Sequence, residues 1–539
     1  MTASRKRLVL AACILGTTVV TVDATVVNVA LPAIERDLGG GLAGQQWTSN
    51  AYLVMLGSLL LIGGSLGDLF GERRIFVLGV AGFGATSLAC ALAPTIEALV
   101  AARALQGVFG ALLTPAALAV IVSTFDESER GRAVGAWTAW GGIGTLLGPL
   151  VGGQLVDAAS WRWIFAINLP LVVGTIALVS RVMAPDRRRD PDVEIDVLGA
   201  ALCALGLVGI TFALIEQPLR GFADAAVFGP LGLGALLFAA FLWHESRARD
   251  PMLPLGLFRR RNFAAGNAET FAMYGGLGLV FFFLTLHLQQ VAGWTALAAG
   301  TAGLPVTVLM FLLSTRFGAL ADRYGPRLFM GAGPLVAAAG LLLLSRLDAE
   351  VNYLTDLLPA LVLFGIGLSM TVAPLTATVL ADADAHNAGI ASGVNNAIAR
   401  VSALITIAAM GTLVAADFRS RLDDELGRLA DRPQVASQLR RVERQPLSRV
   451  SPRGVTPGER AAVARGSERA SVSSFRLALG VSAGLVALGG VLGLAGIRNP
   501  KRRVQCSGCP GGQFAGAPAE AARHPRRGGR QSAAAGVPG

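Results

Sequence analysis

Apolar runs of about twenty residues, each closed by a short polar break, recur along almost the whole chain. A helix needs roughly 20 apolar residues to cross a bilayer core. Read at that length, the runs predict spans at Leu8–Leu31, Trp47–Leu66, Ile75–Ala93, Ala98–Ser123, Ala133–Val156, Trp163–Met183 and Val197–Ile215. They continue at Ala223–Trp243, Phe263–Leu288, Leu297–Leu320, Leu328–Leu347, Leu357–Ala381, Ala388–Ala416 and Val472–Ile497. The total of about fourteen is even, so both termini belong on one side. With the N-terminus inside, the inner breaks hold Arg73 and Arg74, Arg130 and Arg132, Arg187–Arg189, Arg259–Arg261, and Arg323 with Arg327. The short outer breaks hold little beyond Arg36, Arg162 and Arg220. That asymmetry is the one basic loops impose on topology. Residues 417–471 resist it, being Arg-rich yet outside by this count, which long loops tolerate.

A second regularity is internal. Gly64, Asp68, Gly71, Arg73 and Arg74 follow the second span, and Gly318, Asp322, Gly325 and Arg327 follow the tenth. One G-x-L-x-D-x-x-G stretch is weak. Two of them, both at the inner end of a span and both followed by Arg, indicate duplicated halves. The expected organisation is a six-helix bundle over 1–183, two inserted helices with linkers over 184–262, and a second bundle over 263–497. That second bundle carries a long outer loop at 417–471, and 498–539 reads as a disordered cytoplasmic tail. Asp68 and Asp322 suit a gate latch in which a carboxylate caps a facing helix. The plainer alternative is a surface salt bridge, worth little.

Composition narrows the class. The hydrophobic share is 53%, the charged share 15% and the mean hydropathy +0.58. Soluble domains carry about 25% charged residues, so this chain is a polytopic, all-α membrane protein with the bilayer as its first partner. Its 46 Lys and Arg against 35 Asp and Glu give +11. The basic residues sit between apolar runs and in the tail, which points to lipid headgroups and not to nucleic acid. The first run is longer than a signal-peptide core and no small-x-small cleavage site follows, so it is read as retained. Cys13, Cys90 and Cys203 lie in apolar runs as small hydrophobes. Cys506 and Cys509 form a C-x-x-C without a second pair, a weak metal or redox signal. P-loop and HExxH stretches are missing, so the reading is no enzyme, no ATP, no metal and no cofactor.

Ionisable groups inside spans carry the chemistry. A carboxylate at Asp23 is expensive in lipid unless it is paired or faces water, so a functional role is the default. The alternative is a group satisfied by helix ends or by Thr25. Asp23 lies about 12 Å from the outer end of its predicted span and Arg103 about 8 Å into the fourth. The Arg side chain reaches the carboxylate at those depths. Glu269 in the ninth span suits a cationic substrate or a second proton, or lies merely near the inner interface. Arg400, beyond Asn395 and Asn396, is expected to face a cavity or pair with a carboxylate, though a purely structural role stays open. His287, near an outer helix end, reads as interfacial, with a proton relay as the lesser alternative. Gly144, Gly148 and Gly152 recur every fourth residue and line one helix face for close packing, with Pro149 favouring a bend.

Between Val22 and Arg400 the chain resembles the fourteen-helix drug:proton antiporter branch of the major facilitator superfamily. The likeness rests on Asp23, Thr25, Asn28 and Pro32 in the first span and on Arg103, Gln106 and Gly107 in the fourth. Gly144, Gly148, Pro149, Gly152 and Gly153 in the fifth match the motif associated with exporters. Trp161, Arg162, Asn168 and Pro170 open the sixth in the same way. The resemblance implies two inverted-repeat bundles rocking about a central site, driven by protons, with a hydrophobic or cationic drug or antibiotic as cargo. It also implies proton coupling at Asp23 and Arg103. Abundant Ala, Gly and Arg suggest a GC-rich bacterium, and within the family this is similar to the exporters by which antibiotic-producing actinomycetes protect themselves. The location expected is the cytoplasmic membrane. A proton-coupled metabolite importer and a non-transporting receptor are the competing readings.

Overall fold

The first helix is longer than the run that predicts it. In the computed structural model α1 covers Ala3–Leu38, 36 residues or about 54 Å at 1.5 Å per residue. Then come α2 (Gly41–Phe70), α3 (Glu72–Ala91), α4 (Ile96–Thr124), α5 (Glu127–Ala158), α6 (Trp163–Ala166) and α7 (Asn168–Val182). Next are α8 (Val197–Arg220), α9 (Ala225–Glu245), α10 (Arg261–Leu286), α11 (Ala296–Ala302), α12 (Leu304–Tyr324) and α13 (Pro326–Leu344). The last are α14 (Leu358–Ala381), α15 (Ala388–Leu426) and α16 (Pro457–Gly496). The structure describes residues 3–182, 196–221, 223–249, 251–381, 388–426, 442–443, 445–448 and 456–499. The side chains at 61, 64, 65, 68, 127, 128, 131, 138, 139, 142, 145, 146, 388 and 389 lie outside the described part.

Among the described residues 12 helices are long and apolar enough to cross a membrane. Helices α2 and α5, of 30 and 32 residues, are long enough to supply two more. The pairs α6–α7 and α11–α12 each count as one crossing. Among the described residues the architecture is all-helical, with helices enough for about fourteen crossings. The expected tail and its Cys506 and Cys509 lie outside the described residues.

Both ends of the stretch expected as an outer loop, 417–426 and 457–471, are helical. Helix α15 continues past Ala416 to Leu426, and α16 begins at Pro457 with a capping box between Thr456 and Glu459. Phe418, Leu422 and Leu426 keep helical spacing among charged neighbours, so a search for apolar runs passes over them. They form a small core with Val442, Val463 and Ala470.

Packing divides the helices into two groups. Helix α1 packs on α4, α5 and α7, α2 on α4, and α3 on α4 and α7. In the other group α10 packs on α15 and α16, α13 on α14 and α16, and α12 on α14. Helices α8 and α9 pair with each other, with α8 seated against α2 and α15. The groups meet through α2 with α15, α5 with α11, and α1 with α10.

The repeated motif has a conformational signature. Gly71 between α2 and α3 has φ 101° and ψ 130°, and Gly325 between α12 and α13 has φ 95° and ψ 145°. Each donates its N–H four residues back, to Gly67 at 2.9 Å and to Ala321 at 2.8 Å. Side-chain-bearing residues avoid that φ, which explains the last glycine of both motifs. One turn geometry serves both halves.

The α5 glycines work by proximity. A Cβ on Gly144 would stand 2.5 Å from Thr21 Oγ1, and one on Gly148 2.0 Å from Thr25 Oγ1. On Gly152 it would stand 2.1 Å from a methyl of Val26. The ladder therefore seats α5 on α1. Overpacking costs about 1–3 kcal/mol, so Gly148→Ala is expected to lower the thermal midpoint by several degrees. Adding Thr25→Ala should recover part of it in the same melting experiment. Equal midpoints for the single variant and the parent would show that the contact does not matter.

Candidate functional site

Asp23 stands near the middle of α1, about 22 Å from Leu38, deeper than the apolar run alone indicates. The helix extends past both ends of that run, and Arg103 still reaches the carboxylate from α4. Arg103 donates to Asp23 Oδ2 at 2.5 Å, to Gln106 Oε1 at 2.6 Å and to the Thr48 carbonyl at 3.1 Å. Gln106 donates to Asp23 Oδ1 at 3.0 Å and to Ser87 Oγ at 2.8 Å. Asn168 adds donations to the same two oxygens at 3.3 and 3.2 Å. The Arg103 guanidinium also lies 4.3 Å from the Tyr52 ring centre and 5.7 Å from that of Phe165. Asp23, Arg103, Gln106 and Asn168 are each 1% exposed or less.

This arrangement satisfies the demand that a buried ion pair makes: charge neutralised in place, with remaining lone pairs hydrogen-bonded. Gln106 and Asn168 were not singled out from sequence. Both stand within the stretches that carry the resemblance, but neutral amides raise no alarm in an apolar span. Gln106→Leu strips donors from Asp23 and Ser87 and an acceptor from Arg103, at about 1–3 kcal/mol for each buried group left unmatched. Such a variant is expected to melt several degrees lower and to lose about nine-tenths of any proton-driven transport, read in vesicles at matched protein level. Unchanged melting and transport would place Gln106 outside the network.

A cavity of about 290 Å³ opens beside this network, with Arg103 on its wall. Both helix groups line it: Thr25, Asn28 and Ser49 from one, Tyr274, Phe281 and Phe364 from the other. A mostly apolar chamber with a few placed polar groups is the usual form of a small-molecule site. A larger recess of about 620 Å³ opens among the ends of α1, α2 and α8, the stretch of α15 around Ala415, and Glu443, Gln445 and Pro446. It lies away from the ion pair.

The other singled-out residues separate. Arg400 is partly buried one turn along α15 from the cavity residue Ala403, its Cβ 3.6 Å from the position a Gly57 Cβ would take. Asn395 donates to Asn267 Oδ1 at 3.1 Å and to Thr270 Oγ1 at 2.7 Å, tying α15 to α10. Asn396 is exposed and bonds its own helix at the Ser392 carbonyl. Glu269 is buried, but away from the cavity: its Oε2 lies 2.9 Å from the point a Gly493 Cβ would occupy, on the α16 side of α10. His287, expected near an outer helix end, is buried within the protein. It is 0% exposed, stacked 4.0 Å from the Phe475 ring and bonded to the Asp348 carbonyl at 2.9 Å.

At the arginine-rich end, where α1 begins, Lys6 bridges Asp126 and Glu129 at 2.7 Å each. Its hydrogen bond and charge hold the Asp126 carboxyl below the usual range. Asp322 is exposed there and makes no ion pair with a described residue. The Asp68 side chain lies outside the described part. At the opposite, far end, Asp157 of α5 accepts from the Ala296 and Leu297 N–H groups that open α11, at 3.0 and 2.8 Å. Gln46 of α2 donates to the Ile407 carbonyl of α15 at 2.6 Å, and Gln289 donates to the Val29 carbonyl at 2.9 Å. These bonds hold the two groups together on the far side of the cavity.

Residues 13–407 match the family model described as the Major Facilitator Superfamily. The puromycin resistance protein pur8 of Streptomyces alboniger is 39% identical over 403 residues, covering 73% of this chain and 79% of that protein. The tetracenomycin C resistance and export protein of Streptomyces glaucescens is 35% identical over 492 residues, 89% of each chain. The multidrug efflux pump LfrA of Mycolicibacterium smegmatis is 31% identical, covering 81% of this chain and 86% of that one. Among solved structures, an inward-facing bacterial homolog of the human lysosomal transporter Spinster superposes with a TM-score of 0.60 at 17% identity. It covers 93% of this chain and 100% of that one.

Proposed function

We propose that this chain, which belongs to the Major Facilitator Superfamily, is a proton-driven antiporter that exports a hydrophobic or amphipathic drug or antibiotic by alternating access and so confers resistance. Its relatives are antibiotic and multidrug resistance exporters by name, and the chain is a multi-pass membrane protein. The observation that carries the reading is the buried pair of Asp23 and Arg103 set behind the wall of a central cavity. Asp23 is the proton acceptor. A proton there cancels the charge that binds α1 to Arg103, while Arg103 keeps the Thr48 carbonyl, Gln106 and the Tyr52 face. Helix α1 is then free to shift against α4, and the cavity wall formed by Thr25 and Asn28 moves with it.

The arginine-rich face is the cytoplasmic one, in a bacterial plasma membrane with both termini inside. The helix groups over 1–183 and 263–497 rock about the cavity, with 184–262 as the inserted pair. The far-side bonds of Asp157 and Gln46 close the outer gate. Gly64, Asp68, Gly71, Arg73 and Arg74, with their counterparts Gly318, Asp322 and Gly325, latch the inner one. Gly144 to Gly153 set the seam on which α5 moves.

A susceptible host tests this reading. Cells that express the protein should accumulate less of an amphipathic aromatic drug than cells without it, and a protonophore should restore accumulation. Equal accumulation at verified expression would reject export of that drug.

A further inference from the structure

Among the described residues the only charged side chain on the wall of the central cavity is Arg103, and Arg400 lies one turn of α15 beyond the wall residue Ala403. No Asp or Glu side chain among them lines the cavity. Asp23 lies behind Arg103 and is neutralised by it, and Glu269 stands on the α16 side of α10. Arg400 has no such counter-ion. It forms no hydrogen bond or ion pair with a described residue, and its spacing of three and seven residues places it on the α15 face that carries the wall residues Ala403 and Ile407. A guanidinium held in the middle of a span without a carboxylate is costly and is kept where function uses it.

We propose that Arg400 is the counter-ion for the cargo, and that the site takes acidic aromatic molecules, phenolates or carboxylates, in preference to cations. The inference rests on reading the cavity as the drug site and specifies its chemistry. The wall offers rings for stacking at Tyr274, Phe281 and Phe364. Arg400 supplies planar paired donors suited to a carboxylate or phenolate. A cationic drug meets an uncompensated like charge with no carboxylate to receive it. An anion leaving while a proton enters carries positive charge inward on both legs, so the membrane potential drives both movements.

Two dyes on one xanthene frame test the charge preference without transport: anionic fluorescein and cationic rhodamine 123. Saturable binding to the full chain in nanodiscs, with empty discs subtracted, is expected to be at least about tenfold tighter for fluorescein. Arg400→Gln should remove that preference, and Arg400→Lys, which keeps the charge, should retain most of it. A merely structural Arg400 would lower binding of both dyes together. Equal or tighter binding of rhodamine 123 by the parent protein overturns the proposal without any variant, as does absence of saturable fluorescein binding. So does an unchanged preference in a folded Arg400→Gln. Binding needs no gradient, so failure here is distinct from failure of proton-driven export.

Discussion

Asp23→Asn is expected to cut uphill, proton-driven export to about one-hundredth of the parent or less while the protein still inserts, folds and binds drug. Asparagine has the same shape and can accept from Arg103 through its amide oxygen, but it exchanges no proton. Breaking a buried pair by removing one partner costs about 3–5 kcal/mol when the remaining charge is stranded. Here Arg103 keeps the Thr48 carbonyl at 3.1 Å, Gln106 at 2.6 Å and the Tyr52 ring at 4.3 Å, so the cost falls below that figure. Matched expression and a melting curve separate lost coupling from lost folding. A normally expressed Asp23→Asn protein that exports uphill at the parental rate would remove Asp23 from coupling.

The second large effect is expected at Gly153, on the seam between α5 and α11. Its missing Cβ would stand 2.5 Å from Leu297 Cα and 2.8 Å from both the Ala296 carbonyl oxygen and the Leu297 nitrogen. All three are backbone atoms, so no rotamer change relieves the clash. In Gly153→Leu, α11 must back away, and the two bonds from Asp157 that cap its start go with it. Spin labels at the far ends of α5 and α11 should report a longer distance, and transport should fall by about tenfold because closure of the outer gate is disfavoured. Gly135→Ala on the same helix is the control, since nothing lies within 4 Å of its missing Cβ. Parental distances with parental transport in Gly153→Leu would show that this seam is no gate.

About fourteen crossings were legible because apolar length is a direct physical requirement of the bilayer. The duplicated Asp68 and Asp322 motifs were legible as a repeat, and Gly71 and Gly325 share one strained turn geometry that only glycine adopts readily. What an apolar-run reading misses is amphipathic continuation: Phe418, Leu422 and Leu426 carry α15 past its predicted end. The encounter of Asp23 with Arg103 was readable from chemistry, whereas the depths were not, because α1 outruns its apolar core at both ends. Gln106 and Asn168 were missed as participants since a buried amide has no visible cost until its partners are known. For Glu269 and His287 the decisive fact is which helix face they occupy, and that depends on where α16 lands. Spacing along 261–291 does not contain it.

The most direct test is drug movement in inverted membrane vesicles containing the protein. With the lumen acidified, the account predicts that an amphipathic aromatic drug accumulates inside against its gradient as protons leave, and that dissipating both the pH difference and the membrane potential abolishes the uptake. Drug leaving such vesicles against its gradient, or uptake that persists after both are collapsed, would contradict proton-driven export.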